Sequence, residues 1–319
     1  MKRATITIII PVYNVENFVN ETLLSVKNQI SQPDEVIVIN DGSTDGSSNI
    51  LNNYKDLKGW KIINRSNHGL GLTRNFGKSI AISEYIYFLD SDDIIKKDLI
   101  FRMRPVIEKN NKPDMILFSG ETFSDKTTLS KKMNLKLTLS GNYLNGSSLI
   151  RELINRKEAF PMASRYLTKK NLWSKNKLYY PNCIYEDEAV FFPLLALSKK
   201  VVVIPEIYAR YRIGRVDSLT NMAPTSKHAL SYLLTINLII EFMSKNPKLV
   251  RLNLSAWYYR LGRNGLKYIS MCLKTKTPIA WVNVLILFYR VKSISFPIKL
   301  LWRFLRHYFT ISSNVKKNK

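Results

Sequence analysis

The chain has 319 residues, carries 49 Lys and Arg against 24 Asp and Glu for a net charge of +25, and is 45% apolar. That apolar share supports a packed core of more than one domain and excludes a disordered chain. Two cysteines, Cys183 and Cys272, lack any Cys-x-x-Cys or Cys/His set, which excludes a disulfide framework and a structural zinc site and suits a reducing compartment.

Met1-Lys2-Arg3 mimics the charged start of a signal peptide, but the apolar run Ala4 to Ile10 is too short and meets Pro11 without a small-residue cleavage site, so a cytoplasmic start is expected. The β-branched run Thr5 to Ile10 predicts a buried strand, and Val15 to Ile30 has helical spacing. Glu35 to Ile39 predicts a second strand, running into the turn-rich Asp41-Gly-Ser-Thr-Asp-Gly46 and a helix over Ser47 to Tyr54. A strand at Trp60 to Ile63, a helix at Leu70 to Ile82 and a strand at Tyr85 to Leu89 follow, then a helix at Lys97 to Glu108 and a short strand at Met115 to Phe118. Such alternation predicts βαβ units and a mainly parallel sheet, whose ligands bind beyond the carboxyl ends of the strands. The polar clusters at 11–14, 40–45, 67–75 and 90–93 fall there. Residues 121–140 read as a loop, 146–156 and 168–176 as helices, and Ile184 to Leu197 as an acidic start to an apolar helix. Strands are expected at Val201 to Ile204 and Ile207 to Ile213, and basic amphipathic helices beyond about 225, for example over Ile298 to Arg306. No stretch reaches the ~20 apolar residues of a spanning helix; the nearest, Trp281 to Val291, contains Arg290.

The charge is unevenly placed. Residues 1–120 hold 15 basic and 14 acidic side chains, residues 121–319 hold 34 and 10, and beyond Glu241 there are 16 Lys and Arg and no carboxylate. The first part is balanced like an enzyme domain. The second is built to meet an anion: nucleic acid, a phospholipid surface or a phosphorylated substrate.

Asp90-Ser91-Asp92-Asp93 crowds carboxylates at a strand end, a repulsion that a divalent cation relieves, and hard oxygen ligands suit Mg²⁺ or Mn²⁺. The same residues also read as a solvated acidic turn capping the next helix. Asp41-Gly-Ser-Thr-Asp45 has the matching ambiguity with a helix cap, and Arg74 with a surface helix residue. Gly69-Leu-Gly71 lacks the third glycine of a dinucleotide fingerprint, and no GxxxxGK[ST] occurs. His68 and His228 read as ordinary surface or packing residues.

Taken in order and spacing, Ile8-Ile-Ile-Pro-Val-Tyr-Asn14, Val38-Ile-Asn-Asp-Gly-Ser-Thr-Asp45, Asn67-His-Gly-Leu-Gly-Leu-Thr-Arg-Asn-Phe-Gly77 and Phe88-Leu-Asp-Ser-Asp-Asp93 resemble the family 2 glycosyltransferases of GT-A fold. The likeness continues to Tyr185-Glu-Asp-Glu188 and to Tyr211-Arg212 with Ser218, and it implies that Tyr211, Arg212, Arg215 and Ser218 lie near the diphosphate and acceptor; it covers about two thirds of the chain and departs at Asn40, where the family often has aspartate. It implies an α/β fold of two halves, 1–120 for the nucleotide sugar and 121–225 for the acceptor and the base; the motifs do not reach 226–319, which its own composition marks as a basic amphipathic helical region. It implies a nucleotide-sugar site of Pro11, Val12, Tyr13, Asp41, Asn67, Arg74, Asp90, Ser91 and Arg212, with Asp41 accepting from the imide of a uracil or thymine. Asp92, with Asp90, would hold Mn²⁺ or Mg²⁺. Asp187 would be the catalytic base, supported by Glu186 and Glu188, and attack on an α-linked donor would invert the anomeric centre. Closest are bacterial transferases of capsule, exopolysaccharide or lipopolysaccharide assembly. The partners expected are therefore a UDP-type sugar donor, a glycan or lipid-linked glycan acceptor, and the anionic inner face of the cell membrane, which the aromatic and basic residues from 242 onward (Trp257, Tyr258, Tyr259, Trp281, Trp302, Phe304, Tyr308 and Phe309 among them) would grip. The competing classes are a nucleic-acid-binding protein and an inactive nucleotide-sugar-binding scaffold. No nucleic-acid module is recognisable and the acidic motifs are intact, which disfavours both.

Overall fold

The computed structural model describes residues 3–124, 133, 135–215, 222–281 and 284. The chain divides into two compact units, residues 1–182 with 186–221 and residues 183–185 with 222–319.

In the first unit, β1 (Ile6–Val12), β2 (Glu35–Asp41), β3 (Trp60–Arg65) and β4 (Tyr85–Phe88) are parallel, in the spatial order β3-β2-β1-β4. Helices α1 (Val19–Lys27), α2 (Ser47–Asn52) and α3 (Leu70–Ile80) form the crossovers. Every residue of β1 and β2 is buried, as expected of parallel strands covered on both faces. The strands end together, so Val12, Asp41, Arg65 and the residues after Phe88 share one edge. Helix α1 starts four residues later than its apolar spacing predicts. The backbone at Asn14, Val15 and Glu16 instead donates to Ser43, Ser47 and Asp45, which knits the loop after β1 to the start of α2.

The rest of this unit extends the same sheet. β5 (Ile94–Ile95), α4 (Leu99–Lys109), β6 (Met115–Phe123), β7 (Gly141–Tyr143), α5 (Gly146–Asn155), β8 (Tyr166–Lys169), α6 (Lys170–Lys175), α7 (Glu186–Leu197) and β9 (Val201–Arg212) follow in chain order. The sheet runs β3-β2-β1-β4-β8-β6-β9-β5, with β7 also on β9, and β8 is antiparallel to both neighbours. The helix predicted over 168–176 is present as α6, but its first two residues belong to strand β8. Tyr166, Leu167 and Thr168 are buried between β4 and β6, and sheet pairing there outweighs local helical spacing. Two predicted strands are one, β9: it pairs with β6 up to Ile204 and resumes at Ile207, and Pro205, which has no N–H to donate, is pushed out with Glu206 as a bulge.

The second unit contains α8 (Ser226–Lys245), α9 (Pro247–Arg251) and α10 (Leu254–Thr275). Helices α8 and α10 pack together, with Trp257 1% exposed and stacked on Phe242 at 5.3 Å. Trp257 is therefore core and not a surface anchor, whereas Tyr259, Leu252 and Leu254 are exposed. His228 caps α8 through Thr225, a packing role. Among the described residues no helix is long and apolar enough to cross a membrane. The predicted Ser218 and the helical pattern over 298–306 lie outside the described residues, as do Trp302, Phe304, Tyr308 and Phe309.

Candidate active site

Pro11 and Val12 end β1 buried, and Tyr13 follows them 48% exposed, a ring available for stacking at the strand edge. Asp41, at the end of β2, is 3% exposed; its carboxylate accepts the backbone N–H of Gly69 at 2.8 Å and of His68 at 3.2 Å, and pairs with Arg65 at 3.4 Å. Asp41 thus holds the loop that carries the exposed Asn67 and His68. Gly42 makes that approach possible, since its φ is +77° and a Cβ there would lie 2.8 Å from the Asn67 nitrogen. Asn40 serves the same turn, donating to Asn64 and accepting from the Ser43 N–H.

A second cluster gathers residues distant in sequence. Arg74 on α3 is 1% exposed and bonds three carboxylates: Asp90 at 2.5 Å, Asp187 at 3.2 Å and Glu186 in a close pair. Asp187 also accepts the Ala163 N–H at 3.1 Å on its other oxygen. Ala163 opens a short 3₁₀ turn, 163–165, whose Ser164 hydroxyl reaches Asp93 at 3.4 Å and whose Ser164 carbonyl accepts from Tyr87. Burial pushes the Asp187 carboxyl up to about 6, with Arg74 opposing the rise and Asp90 adding to it. Burial likewise pushes Glu186 up to about 8, against Arg74 and with Asp187. Glu188 is buried one residue further along the helix.

Asp92 pairs closely with Arg215, and Asp93 accepts the Arg212 N–H at 2.9 Å. Burial raises both carboxyls, Asp93 the more strongly, with the neighbouring aspartates adding to it. The Arg212 guanidinium, 2% exposed, bonds the Asp92 carbonyl and Glu21 and lies against Phe18 and Phe123. Ser91 is 8% exposed. Among the described residues no three carboxylate, His or Cys side chains form a ready-made metal cage. The donor set nevertheless suits a hard divalent cation, which one or two carboxylates hold together with water and substrate phosphate. Asp90 and Asp92 are both oxygen donors that keep some exposure, at 26% and 17%, in a cluster where carboxylates outnumber the guanidiniums paired with them.

A family model described as glycosyl transferase family 2 matches residues 7–174, more than half of the sequence. The chain belongs to glycosyl transferase family 2. This glycosyltransferase is 32% identical over 232 residues to an uncharacterized glycosyltransferase of Haemophilus influenzae, covering 69% of this chain and 84% of that one. It is 30% identical over 221 residues to the poly(ribitol-phosphate) beta-glucosyltransferase of Bacillus spizizenii, covering 66% of this chain and 32% of that longer enzyme. The crystal structure of S. aureus TarS 1-349 in complex with UDP-GlcNAc shares its fold, with a TM-score of 0.60 at 18% identity over 99% of this chain and 92% of that one. The mainly parallel sheet flanked by helices is therefore the GT-A fold.

Sequence reasoning about this transferase missed three features of the site. The turn at 163–165, which supplies donors to Asp187 and Asp93, carries no motif. Tyr166 and Tyr180, fully buried and 3.2 Å apart at their hydroxyls, carry no motif either, yet the Tyr180 ring lies 5.1 Å from the Arg74 guanidinium. Arg215 was expected near the diphosphate, but nothing in the sequence indicated Asp92 as its partner.

Proposed function

We propose that this glycosyltransferase is an inverting, divalent-cation-dependent hexosyl- or N-acetylhexosaminyl-transferase that uses a UDP-type donor. Its acceptor would be a hydroxyl of a lipid-linked bacterial surface glycan at the anionic inner face of the cell membrane. The observation that carries the reading is the Asp187 carboxylate, fixed at both oxygens yet 19% exposed, and joined to Asp90 through one guanidinium. A transfer reaction needs that pair: a base for the acceptor hydroxyl beside a carboxylate on the donor side.

In this reading Tyr13 stacks on the nucleobase, Pro11 and Val12 back it, and Asp41 with Asn67 lines the base and ribose side. Ser91 meets the ribose. Asp92 and Asp90 would hold Mn²⁺ or Mg²⁺, which when bound supplies charge neutralisation at the leaving diphosphate. Asp187 takes the acceptor proton as the acceptor oxygen bonds to the anomeric carbon. The bond from that carbon to the β-phosphate oxygen breaks, and its electron pair leaves on the diphosphate. Glu186, the more deeply buried carboxyl, pairs with Arg74 and shapes the start of α7, with Glu188 behind it. Arg212 holds the 90–93 loop from below, at the diphosphate end. The TarS neighbour with UDP-GlcNAc supports the donor class, and the poly(ribitol-phosphate) relative together with the basic excess of residues 121–319 supports an acceptor that bears phosphate.

The test is a panel of UDP- and dTDP-sugars offered to the wild type and to Asp187→Asn. Turnover should fall by about 10²–10⁴-fold in the variant with donor affinity nearly unchanged. Full activity of Asp187→Asn, with Glu186→Gln or Glu188→Gln dead, would move the base to a neighbour.

A further inference from the structure

Arg74 is engaged at both ends of its guanidinium. Nη2 donates to Asp90 at 2.5 Å, while Nη1 donates to Asp187 at 3.2 Å and closely to Glu186, acids 16 and 112 to 113 residues away in sequence. The helix that carries it is tied to the 178–180 segment. The Asn75 side chain donates to the Tyr180 carbonyl at 2.8 Å and accepts the Tyr180 N–H at 2.9 Å, and Lys78 donates to the Leu178 carbonyl at 2.6 Å. The Tyr180 ring then packs 5.1 Å from the guanidinium itself. A buried ion pair is weak support for stability, because desolvation offsets much of its Coulombic gain. A planar fork that touches the loop after β4 and the start of α7 at once has a different use: it fixes the distance between them, which a lysine's single point charge cannot do.

We propose that Arg74 is a positioning residue for sugar transfer, whose guanidinium holds the Asp187 carboxylate at a fixed distance from Asp90 and so registers the acceptor's base with the donor end of the site. The proposal rests on the reading of Asp187 as base and goes beyond it, since it gives Arg74 no contact with either substrate. Each oxygen of Asp187 then has its own anchor, Arg74 on Oδ1 and the Ala163 N–H on Oδ2, and each keeps a lone pair for the acceptor proton. Misplacing a reacting group by about 1 Å costs about 10²-fold in rate, so an anchor at this position acts on turnover.

The experiment is a double-mutant cycle of Arg74→Gln and Asp187→Asn, reading kcat, the donor KM and the thermal midpoint. Arg74→Gln should lower kcat by about 10–10²-fold and leave the donor KM within about threefold. In the Asp187→Asn background the same change should cost less than about threefold, because the residue it positions is already gone. Arg74→Lys, which keeps the buried charge but not the fork, should lose nearly as much as Arg74→Gln, and it carries the cycle if Arg74→Gln fails to fold. Losses that multiply fully across the cycle overturn the proposal, and so does a loss confined to donor KM. A fully active Asp187→Asn overturns the base assignment and the role of Arg74 with it, whereas an inactive Asp187→Asn with multiplying losses overturns the role of Arg74 alone.

Discussion

At the start of α7, burial pushes Asp187 up to about 6 and Glu186 further, to about 8, so Asp187 gives up its proton the more readily of the two. A base must be deprotonated to act, so kcat/KM should rise with pH through about 6 and then level. Asp187→Asn should remove that limb and Glu186→Gln should keep it; a pH–rate profile of both decides, and a limb that survives in Asp187→Asn excludes Asp187 as its source. Asp92 has its own test. Asp92→Ala should abolish transfer and Mn²⁺ binding followed by electron paramagnetic resonance, with an unchanged thermal midpoint; Mn²⁺ affinity equal to wild type would remove Asp92 from the ligand set. These carboxylates were legible in the sequence because acids at a strand end and at a helix start are conspicuous in a basic chain. Arg74 was expected in the nucleotide-sugar site, with nothing in the sequence to pair it with these acids. Its three partners come from two other segments, and no local spacing encodes a contact across more than a hundred residues.

Among the elements, the parallel strands β1, β2 and β4 were readable because each is a mainly β-branched or aromatic run closed by Pro or Asp, and burial on both faces requires that pattern; β3, at the sheet edge and only partly buried, was readable from Trp60, Ile62 and Ile63 alone. Strands β5, β7 and β8 were not, being two to four residues long and defined by their neighbours. The short glycine pattern before α3 looked like a failed dinucleotide fingerprint, and packing explains its second glycine: a Cβ at Gly71 would lie 2.3 Å from the Pro181 carbonyl oxygen. That oxygen is backbone and cannot rotate away, so α3 and the 180–181 segment would have to part. Gly71→Ala should therefore destabilise the fold by about 1–3 kcal/mol. Because α3 carries Arg74, kcat should fall at temperatures where the variant is still folded. A thermal midpoint and kcat both equal to wild type would show that the segment yields freely.

At the scale of the whole molecule, what needs a partner is the charge. The first 120 residues are nearly neutral, whereas the 78 residues after Glu241 hold 16 cations and no acid, an arrangement with no internal counter-charge nearby in sequence. Within the described part, the turn joining α9 to α10 exposes Leu252 at 52% and the first half of α10 exposes Leu254 at 38% and Tyr259 at 52%, with Lys248, Arg251 and Arg263 exposed in the same stretch. Apolar and aromatic side chains ringed by cations suit the headgroup layer of an anionic bilayer, where each Lys or Arg contributes about 1 kcal/mol. Trp257, the most membrane-like residue of that stretch by composition, is spent on the core instead, so the proposed bilayer contact would fall to its exposed neighbours. The whole protein should float with liposomes containing anionic lipid, more strongly as the anionic fraction rises and less strongly as salt rises, because surface charges are screened within about 10 Å at 0.1 M. Substituting Lys248→Glu and Arg251→Glu together should weaken flotation, and Leu252→Ser with Leu254→Ser should weaken it further with kcat on a soluble acceptor unchanged. Flotation indifferent to lipid charge and to all four substitutions would assign the basic excess to the acceptor, and transfer to a phosphate-bearing acceptor should then weaken with salt while transfer to a neutral one does not.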